Sequence, residues 1–474
     1  MKTAMKRPGP SAVARALASL RSQATRGALC SLALICGCAW GIADKPMGRW
    51  DPSLNARWIA QLPGDRSGEL LVYLAFSGGG TRAAALSYGV LKELAATEIE
   101  IGGKRRRLLD EVDAISSVSG GSFTAAYYGL YGDRIFADYE SRFLRKDVEG
   151  ALIERFLWPP NLVRIMSGTY GRSDVAAAYY DEILFDGATF GDLFHPKAPF
   201  VVINATDLAS GSRFGFTQLF FDLICADYHD YPISRGVAAS SAVPLLLSPI
   251  TLRNYTPKCG YTAPPWLEAV AKDRTSPRRQ AEARVLLSYL DAEHRKYVHL
   301  VDGGIADNLG LRAAYQFVGA ERSPKEAFKD MGHPHPRLIL MILVNAQSHH
   351  QPTFAESAAS PALTELIDTV TSDQISLYNF ETIELVSTAI EKWATELSTP
   401  KGPVTAEFVD VSFDAVQDET AREALNSIGT NFSLSDEEVD RLISAGQAVL
   451  RASPQFQEAL KVLRPDASSS RKPR

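Results

Sequence analysis

The stretch Leu70-Leu-Val-Tyr-Leu-Ala-Phe-Ser-Gly-Gly-Gly-Thr-Arg82 changes abruptly from apolar residues to glycine. Its seven leading apolar residues are typical of a strand that is buried on both faces of a sheet. The residues that follow, Ala83 to Ala96, place apolar side chains at helical spacing among good helix formers. The sequence therefore predicts a strand, a glycine turn and a helix in direct succession.

The same succession occurs a second time. Val112 to Ser117 is a strand candidate, the pattern breaks at Ser119-Gly120-Gly121, and Phe123 to Tyr131 resumes as a helix. Two such units favour right-handed crossovers and a parallel sheet, so the predicted fold class is α/β. Further strands are predicted at 200–204, 297–301, 338–345 and 404–413. Further helices are predicted at 134–156, 172–184, 233–243, 361–397, 418–427 and 435–463.

Two charged segments do not fit this alternation. Lys104-Arg105-Arg106-Arg107 is predicted to be a solvated turn, with contact to anionic lipid as the alternative. Residues 251–296 hold several prolines and many charges, and we expect an inserted loop or lid there.

The overall composition is that of a folded globular protein. The 474 residues are 46% hydrophobic and 22% charged, with a formal net charge of -5. This charge provides no field that would attract nucleic acid, so no nucleic-acid partner is expected. No cysteine or histidine cluster has the spacing of a metal site, and no metal or other cofactor is expected.

The first 37 residues differ from the rest. Gly27 to Gly37 is a run of eleven mostly apolar residues, too short to cross a bilayer, which needs about 20. It is preceded by six basic residues and no acidic one: Lys2, Lys6, Arg7, Arg15, Arg21 and Arg26. This pattern is typical of an export signal, with a buried helix or a disordered arm as the alternatives.

The end of that run, Ile35-Cys36-Gly37-Cys38, resembles the bacterial lipobox. The resemblance implies that Cys38 is lipidated and holds an exported protein at the outer membrane or periplasmic face, whereas simple cleavage is the alternative. Cys225 and Cys259 are the cysteines outside the leader. In an exported protein they could form a disulfide, but two unrelated thiols fit the sequence equally.

Ser119 is the first candidate for chemistry. It lies in Ser117-Val-Ser-Gly-Gly121, after a strand and before a helix, which is the setting of a G-x-S-x-G nucleophile elbow with Ser117 in place of the first glycine. The N-terminus of the helix would favour negative charge developing at the serine. A Ser/Gly-rich turn without chemistry is the alternative.

The glycine triplet Gly78-Gly79-Gly80 is the second candidate. Its backbone N–H groups could hold an oxyanion or cradle a phosphate. It lacks the Lys-Ser/Thr ending of a Walker loop and departs from G-x-G-x-x-G at Ala83, which disfavours a nucleotide site. Arg82 could contact a substrate phosphate or brace the loop.

Asp302 is the third candidate. An apolar strand delivers it into Val301-Asp302-Gly303-Gly304. Partial desolvation at such a strand end raises the basicity of a carboxylate, which suits a general base for a serine. An ordinary Asp-Gly turn is the alternative.

In this order the three motifs resemble the patatin-like phospholipase family, with its glycine-rich oxyanion loop, serine elbow and Asp-Gly-Gly or Asp-Gly-Ala. Ala238 to Pro244 resembles a helix-ending segment of the family, Asn204 to Leu208 its middle strand, and Asn308 the Asn that follows its catalytic Asp. The resemblance covers about residues 70–320. Ser77, Ser117 and Ala83 depart from the family pattern.

The resemblance implies a three-layer α/β/α fold with a mostly parallel central sheet and a helical C-terminal extension. It also implies that Ser119 is the nucleophile and Asp302 its base, without a histidine between them. The remaining oxyanion and substrate-binding residues are Gly78, Gly79, Gly80, Arg82 and Gly120. A Ser-His-Asp triad is disfavoured, because the histidines after Asp302 lack a strand-end context: His333, His335, His349 and His350.

The expected organisation follows from these assignments. It comprises a leader (1–37), a lead-in (38–69), a catalytic core with the insertion 251–296 (70–325), a C-terminal strand and helices completing the domain (326–465) and a disordered tail (466–474). The leading hypothesis is a phospholipase A or lysophospholipase that acts on phospholipid or another acyl ester at a membrane surface. The alternatives are a triacylglycerol lipase or thioesterase, and a non-catalytic, membrane-anchored lipid-binding protein.

Overall fold

Strand β1, Leu70–Phe76, is an inner strand of the main sheet, and all seven of its residues are buried. The computed structural model describes residues 43–53, 66–168, 170–320, 323–349, 354, 358, 360–400 and 402–463. The leader and Cys38 lie outside the described residues, as does the C-terminal tail.

The described residues form ten strands. After β1 these are β2 Glu98–Ile101, β3 Lys104–Arg107, β4 Val112–Val118, β5 Phe200–Asp207, β6 Ser212–Phe216, β7 Ile250–Arg253, β8 Tyr297–Val301, β9 Leu338–Asn345 and β10 Thr405–Ser412. The main sheet has the order β10-β9-β1-β4-β5-β8-β7, with β6 also paired to β5. The five strands from β10 to β5 are mutually parallel, whereas β6, β7 and β8 pair antiparallel.

Seventeen α-helices lie within the described residues. The first nine are α1 Gly80–Ala96, α2 Gly120–Tyr131, α3 Ile135–Tyr139, α4 Val148–Leu157, α5 Pro159–Met166, α6 Arg172–Tyr180, α7 Gln218–Leu223, α8 Ile233–Ser240 and α9 Pro265–Lys272. The others are α10 Pro277–Ser288, α11 Gly304–Asp307, α12 Arg312–Ala320, α13 Pro324–Asp330, α14 Leu363–Leu397, α15 Glu419–Asn426, α16 Asp436–Ala452 and α17 Pro454–Val462.

The side chains of β1 alternate between two hydrophobic cores. Leu70, Val72, Leu74 and Phe76 pack with residues of α1, α2, α8 and α16 on one face of the sheet. Leu71, Tyr73 and Ala75 pack with residues of α12, α13 and α14 on the other face. The strand is therefore apolar throughout because helices cover both of its faces, and the predicted three-layer α/β/α fold is confirmed.

The predicted strands at 297–301 and 338–345 have the predicted bounds in the structure. The predicted helix at 134–156 is interrupted, because a π-helical turn at Glu140–Leu144 separates α3 from α4. A second π-helical turn, Asp181–Phe185, follows α6. Sequence periodicity alone does not distinguish these wider turns from α-helix.

Residues 251–296 are not the loop that the sequence predicted. They contain most of β7, which pairs with β8, and the helices α9 and α10. Pro265 and Pro277 are the first residues of those helices, where the missing N–H costs nothing. The prolines therefore begin helices in this segment, and Cys259 within it is joined to Cys225 by a disulfide.

The predicted solvated turn at 104–107 is also wrong, because this segment is β3 and pairs antiparallel with β2. Gly102 and Gly103 have positive φ and make the two-residue hairpin turn. The like charges are neutralised within the fold. Arg105 pairs with Glu98 across the hairpin, Arg106 with Glu111, and Arg107 with Asp110 and Asp133.

Two glycines allow α16 to lie directly against α1. A Cβ on Gly89 would overlap the backbone carbonyl oxygen of Ile443, and a Cβ on Gly446 would overlap that of Leu86. Helix α16 is therefore packed backbone to backbone on α1, the helix that follows the glycine loop.

We expect Gly89→Ala to lower the free energy of unfolding by about 2 kcal/mol or more, because a rigid backbone atom occupies the position of the new methyl group. Gly319→Ala is the matched control, since Gly319 is also helical and a Cβ there has open space around it. That change should be neutral or stabilising by up to about 1 kcal/mol. Urea denaturation of both variants checks this, and equal midpoints would contradict the close packing.

Candidate active site

Ser119 stands between β4 and α2 with φ 47° and ψ -120°. This left-handed backbone is uncommon and strained for a residue with a side chain, and such strain concentrates at functional turns. The residue is 5% exposed. Its side chain is therefore held at the carboxyl end of a parallel strand, above the start of a twelve-residue helix.

Close packing explains the glycines after Ser119. A Cβ on Gly120 would overlap the carbonyl oxygen of Gly80, and a Cβ on Gly121 would lie 2.7 Å from Phe76 Cβ. Ser117, which replaces the first glycine of the motif, lies inside β4 and donates a hydrogen bond to the Val202 carbonyl at 3.2 Å. The replacement is therefore accommodated within the sheet.

Asp302 follows β8 and faces Ser119. Its backbone N–H donates to the Ala242 carbonyl at 3.0 Å, and the N–H of Gly304 donates to its Oδ1 at 2.8 Å. Burial raises the pKa of the carboxyl to about 6, while hydrogen bonds from the Gly304 N–H and the Ser119 hydroxyl act in the opposite direction. The structure therefore places the Ser119 hydroxyl close enough to Asp302 to lower the pKa of that carboxyl.

The glycine loop closes over the same point. A Cβ on Gly78 would lie 3.4 Å from Ser119 Cβ, and the Gly78 N–H donates to the Asn308 carbonyl at 2.9 Å. Gly79 and Gly80 have φ values of 137° and 60°, which side-chain-bearing residues rarely adopt. Among the described residues, the N–H groups of Gly79, Gly80 and Gly120 have no hydrogen-bond acceptor. The N-termini of α1 and α2 thus meet beside Ser119, where their dipoles favour negative charge.

Arg82 braces this loop. Its guanidinium donates to the carbonyls of Ala346 and Ile428 and to the hydroxyl of Thr430, at 2.9, 2.5 and 2.9 Å. Burial lowers its pKa to about 10. Of the two roles that the sequence left open, the contacts fit the bracing role, because the guanidinium is engaged by the C-terminal part of the chain. The loop is held there a second time, since the Thr81 N–H donates to the Asn431 carbonyl at 2.9 Å.

Ser240, at the end of α8, is a functional neighbour whose role the sequence did not reveal. Its Oγ accepts the Ser119 N–H at 2.8 Å and donates to the Asn204 carbonyl at 2.6 Å. Its own carbonyl accepts the Gly303 N–H at 3.0 Å. One residue therefore ties the serine elbow to the loop that carries Asp302. The sequence signal that could have indicated this role is the presence of polar residues inside the otherwise apolar segments at 204–208 and 238–244.

Two of the described histidines make contacts elsewhere, and His350 lies outside the described residues. His299 Nδ1 is 2.9 Å from the Thr251 hydroxyl, and His333 Nε2 is 3.0 Å from Asp113 Oδ1 at the opposite end of β4. Within the described part of the chain, neither Ser119 nor Asp302 has a histidine partner. The same residues contain no group of three or more His, Cys, Asp or Glu side chains arranged as a metal site.

Residues 74–315, slightly more than half of the chain, match the family of patatin-like phospholipases. The chain belongs to the patatin-like phospholipase family. The matched region begins in β1 and ends in α12, so it contains the glycine loop, Ser119 and Asp302. The recognition of this family from the sequence motifs is thereby confirmed. No curated protein sequence matches this patatin-like chain.

Among solved structures, this patatin-like protein is similar to human GIVD cytosolic phospholipase A2, at 13% identity and a TM-score of 0.45. The similarity covers 90% of this chain and 66% of the human one, just under two thirds. The same human enzyme in complex with methyl gamma-linolenyl fluorophosphonate matches at 13% identity and a TM-score of 0.40, over 88% and 65% of the two chains.

The burial of Asp302 leads to a prediction about stability. The carboxyl holds its proton up to about pH 6 in the folded chain, against an ordinary value of 3.8. The folded state therefore binds more protons than the unfolded state in this window, so the contribution of this group to stability falls as the pH rises from about 4 to about 6.

Asp302→Asn, which stays uncharged, should consequently be more stable than the parent above pH 6, by about 3 kcal/mol at most, and should match it below pH 4. Thermal unfolding at pH 4 and pH 8 measures the difference. Asp330→Asn, at the exposed end of α13, is the matched control and should show no such pH-dependent gain. A variant that loses stability relative to the parent as the pH rises would disprove the assignment of Asp302 as a costly buried carboxyl.

Proposed function

We propose that the protein hydrolyses carboxylic esters of lipids as a phospholipase A or lysophospholipase, with Ser119 as nucleophile and Asp302 as its base. The observation that carries this proposal is the placement of the Ser119 hydroxyl beside a buried carboxyl whose pKa is raised to about 6. A base with a pKa near the working pH combines a deprotonated resting state with useful basicity.

The first half of the proposed reaction forms an acyl-enzyme. Asp302 takes the proton of Ser119 as Oγ attacks the ester carbonyl carbon, and the carbonyl oxygen becomes an oxyanion. The N–H groups of Gly79 and Gly80 donate to that oxyanion, with Gly78 shaping the turn, and Gly120 lies beside them at the start of α2. Such preorganised donors are worth about 3 kcal/mol each in comparable sites.

The second half releases the products. The tetrahedral intermediate collapses, so the bond between its carbon and the alcohol oxygen breaks and the acyl group stays on Ser119 Oγ. Protonated Asp302 gives its proton to the leaving alcohol oxygen. Asp302 then accepts a proton from a water molecule that attacks the acyl carbon, and Ser119 regains its proton as the fatty acid leaves. Arg82 takes no part in bond making. It keeps the loop in place through Ala346, Ile428 and Thr430.

Two other functions fit part of these features. A triacylglycerol lipase or thioesterase would use the same groups, because all acyl esters share the reacting carbonyl. A panel of phospholipids, lysophospholipids, triacylglycerols and thioesters, with Ser119→Ala as the blank, separates these substrate classes. A non-catalytic lipid-binding protein would hydrolyse no member of the panel.

We expect a fluorophosphonate probe to label the parent protein and not Ser119→Ala. Labelling and ester hydrolysis should both slow as the pH falls through about 6, because protonated Asp302 cannot accept the serine proton. Asp302→Asn should lose about a hundredfold or more in rate and this pH dependence with it. Ser387→Ala, at a half-buried position of α14, is the control serine and should label normally. A folded parent that is not labelled would favour the binding protein.

A surface of α4 and α5 suits the proposed approach to a membrane. Six large apolar side chains there are more than one third exposed: Ile153, Leu157, Trp158, Leu162, Val163 and Met166. Trp158 is 60% exposed and Val163 68%, which is unusual for a contiguous group on a globular protein. Tryptophan and aliphatic side chains on one short helical hairpin are typical of an element that rests in the headgroup region of a bilayer.

One end of this apolar hairpin is linked to the glycine loop through the C-terminal segment. The N–H of Val148, the first residue of α4, donates to the Phe432 carbonyl, one residue after the Asn431 carbonyl that holds the glycine loop. Beyond α5, Ser173 is hydrogen-bonded to Ser248, which ends the loop carrying exposed Leu245 and Leu246. A bilayer that receives the hairpin would therefore be close to Ser119.

We expect Trp158→Ser combined with Val163→Ser to weaken binding to phospholipid vesicles by about tenfold or more, because each apolar side chain contributes about 2 kcal/mol when buried. Hydrolysis of a soluble short-chain ester should stay unchanged, since neither residue contacts Ser119. Vesicle co-sedimentation and both assays measure this, with Leu366→Ser on α14 as the exposed-leucine control. Equal vesicle binding by the double variant would rule out this docking surface.

We also infer that the protein acts outside the cytoplasm. The Cys225–Cys259 disulfide supports an oxidising compartment, in agreement with the export pattern of the first 37 residues. Among the described residues, no helix combines the length and apolarity needed to cross a bilayer. Metabolic labelling with a fatty-acid analogue, compared between the parent and Cys38→Ala, tests the proposed anchor.

A further inference from the structure

A cavity of about 730 Å³ lies against the second face of the sheet, beneath α9, α10, α12 and α14. This volume is within the range of about 300–1,000 Å³ that is typical of small-molecule sites. Its walls are mainly apolar, with large contributions from Tyr73, Val202, Phe220, Phe317, Met341 and Trp393.

The cavity is distinct from the active site. Neither Ser119, Asp302 nor the glycine loop lines it. Leu71 and Tyr73 of β1 line it, and they belong to the core opposite the one that contains α1 and α2. The sheet therefore separates this space from the helices that start at the catalytic groups. One element is shared, because Ala306 of α11, four residues after Asp302, also lines the cavity.

The charged groups that line the cavity are unbalanced. They comprise four arginines and two acids: Arg213, Arg278, Arg279, Arg312, Asp113 and Glu282. Both acids are engaged, since Asp113 binds the Val72 N–H and His333, and Glu282 accepts from Gln316. The excess charge is therefore positive.

The two deep arginines have partners within the protein, and the buried carboxyl of Asp307 interacts with the charges of both. Arg213 donates to Asn204 Oδ1 at 2.8 Å and to Gln316 Oε1 at 2.8 and 2.5 Å. Arg312 donates to the Thr382 hydroxyl at 3.2 and 3.1 Å and lies 3.9 Å from the centre of the Tyr378 ring. These side chains line a polar end of the cavity without needing a ligand.

Arg278 and Arg279 are different. Both lie in the first turn of α10, where the helix dipole is positive and acidic residues are usual, yet that turn contains no acid. Within the described part of the chain neither arginine forms an ion pair with a carboxylate, although the charge of Arg279 reaches Asp273. Arg278 contacts the Tyr315 ring at 6.0 Å from its centre. Three sources of positive potential, two guanidinium groups and a helix N-terminus, therefore adjoin an apolar space.

We propose that this cavity binds a single-chain anionic amphiphile, a long-chain fatty acid, with its carboxylate at Arg278 and Arg279 and its chain among the apolar walls. The apolar volume accommodates the chain, and the arginines supply bidentate donors for the carboxylate. The site goes beyond the proposed hydrolysis, because binding there requires no turnover at Ser119.

The full chain carrying Ser119→Ala provides the test, because it holds the ligand without reaction at that residue. Trp266 and Trp393 line the cavity, so a brominated long-chain fatty acid bound there should quench their fluorescence by contact with the heavy atom. The quenching should saturate, and the unbrominated fatty acid should reverse it. The corresponding brominated methyl ester, which lacks the charge, should bind about tenfold more weakly.

Two variants in the same background locate the site. Arg278→Ala combined with Arg279→Ala should weaken the fatty acid about tenfold or more, and Ala314→Phe should abolish binding by filling the cavity. Arg284→Ala, on the same helix but outside the cavity lining, is the matched control and should bind as the parent does. Circular dichroism establishes that each variant is folded.

The proposal is overturned by any of three results. These are an absence of saturable quenching, an equal affinity for acid and methyl ester, and unchanged binding in the double arginine variant. The arginines are at least partly exposed, so their replacement leaves the fold intact even if Ala314→Phe does not fold. If a fluorophosphonate did not label Ser119 in the folded parent protein, the proposed hydrolysis would be disproved. That result would not affect the proposal of a fatty-acid site in this cavity.

Discussion

The carbonyl oxygen of Gly80 occupies the position that a side chain on Gly120 would need. This contact brings the N-termini of α1 and α2 together beside Ser119, and the other elements of the site are arranged around it. Similar approaches surround it, since a Cβ on Gly80 would overlap the Asn431 carbonyl and a Cβ on Gly303 would overlap that of Asn204. The glycine loop, Ser119 and Asp302 are thus positioned by backbone in contact with backbone, which leaves little freedom for these groups to move.

The same compactness removes water from the carboxyl of Asp302. Its charged form is disfavoured by burial, whereas the Gly304 N–H and the nearby Ser119 hydroxyl favour it. Additional hydrogen-bond donors to the carboxylate would lower its pKa and make it a weaker base. The site therefore combines a serine with a strained backbone and a carboxyl group that is poorly solvated. Both features lower the free energy of unfolding, and packing of the surrounding core offsets this cost.

Local patterns in the sequence predicted much of this architecture. The apolar runs at 70–76 and 338–345 predicted two strands that are covered on both faces. The order of the three glycine-containing motifs predicted the family, which the match over residues 74–315 confirms. Local patterns do not encode partners that are distant in the chain. The bond from the Ser119 N–H to Ser240 and the contacts of Arg82 with Thr430 depend on tertiary packing, which no periodicity reports. The strand at 104–107 was missed for the same reason, because its charges are balanced by residues outside the segment.

The dependence of the glycine loop on Ile428, Thr430 and Asn431 has a consequence for synthesis of the chain. Ser119 and Asp302 leave the ribosome well before these residues do, so the loop lacks its final support while the chain is still being made. Contacts that span about 350 residues are also among the last to form during folding, because closing such a loop is slow. Ser119 and Asp302 are therefore both present in the nascent chain before the glycine loop beside them is fully supported. The site is complete only after the C-terminal part of the chain has folded onto this loop.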